Sequence, residues 1–139
     1  MFAEIKNIES QIVDWVRAEI DNVRIERSPD LQTIDEVARM HANGYIRVSF
    51  LNIGGLKYRH GRNIADVPLH FIVVIVSNSK ITEGRIYEWM DAVMRAVNHK
   101  RPDQANAPLV LVGAQTPAKT KERNWVADLR FETNYKHID

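Results

Sequence analysis

The side chains in this sequence that could do chemistry are few and scattered. Cysteine is absent from all 139 residues, which removes thiol nucleophiles, disulfides and thiolate-bound zinc together. His70 stands beside Phe71 in an apolar run with no second histidine at ligand spacing, so a hydrogen-bonded sheet histidine is favoured over a metal ligand. Ser77 and Ser79 flank the end of that run, where turn duty is the better reading than nucleophilic attack. Glu83, Glu88 and Asp91 fall on the polar face of a helical stretch, and Glu88 has only Arg85 and Arg95 within reach, which builds no acid and base pair. Gly54-Gly55 lacks both the spacing of a dinucleotide loop and the lysine and hydroxyl pair of a P-loop. H-E-x-x-H and G-x-S-x-G are also missing. The expectation is a protein that is not an enzyme and uses no cofactor and no metal.

Two basic loops carry what remains. Residues 52–67 hold Lys57, Tyr58, Arg59, His60 and Arg62 among Gly54, Gly55 and Gly61, and residues 115–124 hold Lys119, Lys121 and Arg123. Loops of this length in a compact domain are more often functional than idle. Lys57, Arg59 and Arg62 with Tyr58 could meet phosphates and a base, which makes a small nucleic-acid-binding module one function class; its binding would weaken steeply with salt. With 19 basic and 18 acidic side chains the formal net charge is +1, so such binding would have to be local.

The elements that would position these loops are legible from hydrophobic period. Phe2, Ile5, Ile8, Ile12, Val13, Val16 and Ile20 recur at steps of three and four, an amphipathic helix with Trp15 at the edge of its stripe. Val23 and Ile25 alternate with polar residues over 22–26, a short strand that Ser28-Pro29-Asp30 ends. Thr33 and Glu36 form a capping box ahead of a short helix, which Asn43-Gly44 stops. Residues 45–51 alternate as a half-exposed strand, and Leu69 to Val76 reads as a central one. Ile86, Trp89, Met90, Val93, Met94 and Val97 form the main helical stripe over 82–100, with His99, Lys100 and Arg101 suited to its negative end. Residues 109–112 read as a second buried strand and 125–135 as a strand with one wet face.

This order predicts an α+β fold in one domain over 1–139: a two-layer sandwich with a mostly antiparallel sheet of four to five strands covered by two main helices. Trp89, Phe71 and Phe131 should anchor it. With 45% hydrophobic residues the chain can fill one core. The acidic residues Glu4, Glu9, Asp14 and Glu19 argue against a signal peptide. The longest apolar run, 71–76, is far below the roughly 20 residues of a spanning helix, so an intracellular chain with no membrane partner is expected. Following strand directions through the fold places the two basic loops at opposite ends of the sheet.

The amphipathic start, the strand 45–51 with its long loop, the apolar strand 69–76, the stripe Ile86-x-x-Trp89-Met90-x-x-Val93-Met94 and the closing strand from Trp125 to Phe131 together resemble the tail terminator, or tail-completion, proteins of Mu-like contractile-tailed phages and prophages. The resemblance spans roughly the whole chain and rests on order and spacing, without signature motifs. It implies a homo-oligomer, a hexameric ring seated on the head-proximal end of the tail tube. Such a ring would end tube and sheath polymerisation and offer a surface to the head connector. It also implies a life in the host cytoplasm during assembly and in the virion tail afterwards. The family has no catalytic residues to carry over; the interaction residues named above come from composition alone.

Overall fold

The computed structural model describes residues 2–27, 33–55, 57–58 and 64–138. Among the described residues three helices and six strands follow in the order α1 (Phe2–Glu19), β1 (Arg24–Arg27), α2 (Ile34–Met40), β2 (Tyr45–Ile53), β3 (Lys57–Tyr58), β4 (Ile64–Ser77), α3 (Glu83–Val97), β5 (Val110–Lys119) and β6 (Trp125–Ile138). The strands form one sheet in the order β1-β2-β4-β6-β5, with β3 paired to β4 off that path. Among the described residues only β1 on β2 is parallel, and the other strand pairs are antiparallel. The α+β class and the mostly antiparallel sheet are therefore those expected.

The sheet is built around a long ladder. β4 and β6 pair without a break from Ile64 opposite Ile138 to Ser77 opposite Trp125. Alternation then sorts the side chains by face. Leu69, Phe71, Val73 and Ile75 share one buried cluster with Ala127, Leu129 and Phe131, with the α1 residues Ile5, Ile8, Ile12, Val13 and Val16, and with Ile86, Trp89, Met90 and Val93 of α3. Phe71 lies directly opposite Phe131, and both are fully buried. The other face of β4 supplies Val74 and Val76 to a smaller cluster with Tyr45 and with Val37 and Ala38 of α2. The short helix thus begins a partial third layer that the two-layer expectation did not include.

Helices α2 and α3 start as their sequences dictate. Thr33 Oγ1 accepts from the Glu36 N–H at 3.2 Å and Thr82 Oγ1 from the Arg85 N–H at 3.3 Å, each satisfying an amide that the first turn leaves open. Gly44 has φ +110°, and a Cβ there would lie 2.7 Å from Trp89 Cη2. The glycine is required both by its backbone angle and by the indole packed on it.

Several expectations change in detail. The 109–112 segment is not a buried strand: only Leu109 is buried, while Val110 and Val112 are 43% and 52% exposed on β5, at the edge of the sheet. The described part of the 52–67 loop is mostly strand, because β2 continues past a bulge between Phe50 and Asn52, and Lys57 and Tyr58 pair with Asp66 and Ala65. The 115–124 loop shrinks likewise, since β5 runs to Lys119 before a tight turn. α3 ends at Val97, and the basic triplet after it serves several purposes. His99 takes φ +67°, the Lys100 ammonium lies 5.6 Å over the Trp15 ring, and Arg101 donates to the Ala105 carbonyl at 3.1 Å.

Candidate functional site

The β4–β6 ladder decides where the basic residues expected to make contacts can lie. Lys57 and Tyr58 sit where β4 begins, opposite Asp66 and Ala65, and Lys119 sits where it ends, opposite Trp125. Counted along β4 at about 3.3 Å per residue, the two groups are roughly 35–40 Å apart. They cannot form one patch, which is the opposite-end placement the strand directions require. The side chains of Lys57 and Tyr58, and all of Arg59 and Arg62, lie outside the described residues.

At the lower end the basic turn is held firmly. Thr120 N–H donates to the Asn124 carbonyl at 2.8 Å, and Arg123 N–H to the Thr120 carbonyl at 2.9 Å, with Arg123 at φ +66°. Thr120 Oγ1 and Asn124 Nδ2 both donate to Asp35 Oδ1 on α2, at 2.6 and 2.9 Å. These two donors hold the Asp35 carboxyl below its ordinary pKa, the Thr120 hydroxyl first. Arg39 and Glu122 add an exposed ion pair at 3.5 Å. The Lys119 ammonium is 4.8 Å over the Trp125 ring, and Trp125 Nε1 donates to the Ile81 carbonyl at 2.8 Å. Lys121 and Arg123 are exposed at the tip. Sequence reasoning found the charges here and missed Asp35, because an acidic residue in the first turn of a helix ordinarily signals only the dipole.

A groove opens at the same end of the sheet. Asn22, Val23 and Asn43 are shared by two adjoining hollows of about 370 and 410 Å3. Ile81, Arg85 and Trp89 line the first, and Met40, His41 and Gly44 line the second. Beside it Tyr45 donates to Glu26 Oε1 at 2.6 Å, and the His41 ring stacks on Tyr45 at 4.9 Å. The Tyr45 hydroxyl, with Arg24 adding to it, lowers the Glu26 pKa against a smaller opposing effect of burial. Arg24 and Arg85 are each turned to a glutamate of their own, Glu26 at 3.0 Å and Glu88 at 3.4 Å. The groove therefore combines apolar walls with the amides of Asn22 and Asn43 and the carboxylate of Asp21, while Arg24 and Arg85 are paired with glutamates.

The two edges of the sheet differ from one another. On β1 the Ile25 carbonyl accepts from Arg17 Nε and Nη2 at 3.0 and 2.8 Å, which blunts that edge. On β5 the segment after α3 covers the first residues: Leu109 N–H donates to the Lys100 carbonyl at 2.8 Å and Leu111 N–H to Asn98 Oδ1 at 3.0 Å. Pro117 and a register irregularity between Gln115 and Ala118 interrupt its far half. The bare stretch between them is short.

The residues weighed for chemistry take ordinary places. His70 Nε2 lies 3.1 Å from Glu132 Oε1 on the neighbouring strand. Ser77 is fully buried and donates to the Asn78 carbonyl at 3.4 Å. Glu83, Glu88 and Asp91 are exposed along α3. Among the described residues no group of three or more histidine or carboxylate side chains is placed to hold a metal ion, and no described helix is long and apolar enough to cross a membrane. Comparison with family models and with curated proteins found no match for this chain.

Proposed function

We propose that this chain is a structural assembly subunit of the phage tail-completion kind, closing as a homo-oligomeric ring on the head-proximal end of a tail tube. The observation that carries this reading is the long β4–β6 ladder with a basic hairpin at one end and a basic turn latched to α2 at the other. A subunit built this way can meet different neighbours on its two ends while the ladder keeps the ends at a fixed distance. The tube and sheath would lie on one side and the head connector on the other. The proposed mechanism is steric: the ring covers the growing end of the polymer, and no bond is made or broken.

Negative-stain imaging of the purified chain at high concentration tests this. Closed rings of about six subunits are the expected result, since a head-to-tail contact that closes gives a ring. Open filaments, or particles no larger than a single chain, would overturn the ring reading.

A further inference from the structure

We draw no further inference here: the strongest candidate, the groove at the lower end of the sheet walled by Val23, Ile81 and Trp89, is an unpartnered apolar hollow and nothing in the structure shows what covers it.

Discussion

Gly44 and Trp89 illustrate how single residues hold this fold. The indole occupies the space where any other residue at 44 would carry its Cβ, so Gly44→Ala incurs both a backbone and a packing penalty. The backbone part alone costs on the order of 1–3 kcal/mol, and urea denaturation should show at least that loss. Trp89 is 8% exposed, and truncation to alanine should cost about 3–5 kcal/mol; a fully stable Trp89→Ala protein would remove it from the core.

Two glutamates oppose one another in their response to acid. Glu26 has its pKa lowered, chiefly by the Tyr45 hydroxyl. The unfolded chain binds that proton at higher pH than the folded one, so Glu26 contributes stability above 4.5 that is lost as pH falls through the lower folded value. Glu9 is shifted upward: burial outweighs its hydrogen bond from the Phe50 N–H at 2.7 Å and the nearby Arg27. Its contribution is fully present below 4.5 and is lost as pH rises through the raised folded value. Urea midpoints across acid pH should therefore fall less steeply on acidification in Tyr45→Phe than in the parent. In Glu9→Gln the loss just above 4.5 should disappear.

At the scale of elements, the latch between α2 and the β5–β6 turn is the feature with a measurable consequence. Thr120→Val removes one of the two donors to Asp35. Amide hydrogen exchange at Arg123, whose N–H is bonded to the Thr120 carbonyl, should quicken while the β4–β6 ladder keeps its protection. Unchanged exchange in the turn would mean that its own backbone bonds suffice. The helices were readable because their caps and stripes are local: Thr33 with Glu36, and the repeat from Ile86 to Val97. β5 was not. Its first residues are as apolar as a core strand, but covering by Asn98 and Lys100 replaces burial between neighbours, and nothing local in Val110 to Val112 reports that. The extension of β2 and β4 into a hairpin was hidden by Gly54 and Gly55, which ordinarily mark loops. The Gly54 N–H instead donates to the Pro68 carbonyl at 2.9 Å and carries the pairing onward.

For the whole molecule, the class and the mostly antiparallel sheet followed from alternation and period, and the opposite-end placement of the basic loops followed from strand direction, whereas the packing of α2 on the second face of the sheet did not. What the chain binds does not follow from those rules, because partner choice depends on surface contacts that leave no period in the sequence. The Asp35 latch and the lower groove are of this kind: each joins residues distant in the chain, as Asp35 meets Thr120 and Val23 faces Trp89. A formal charge of +1 at neutral pH leaves little repulsion against self-association.

The most direct test of self-assembly is the solution mass by light scattering over a concentration series at low and high salt. The account predicts a discrete closed oligomer of about six chains, reached at high concentration and followed by no larger species. A single-chain mass at every concentration and both salt levels would contradict it.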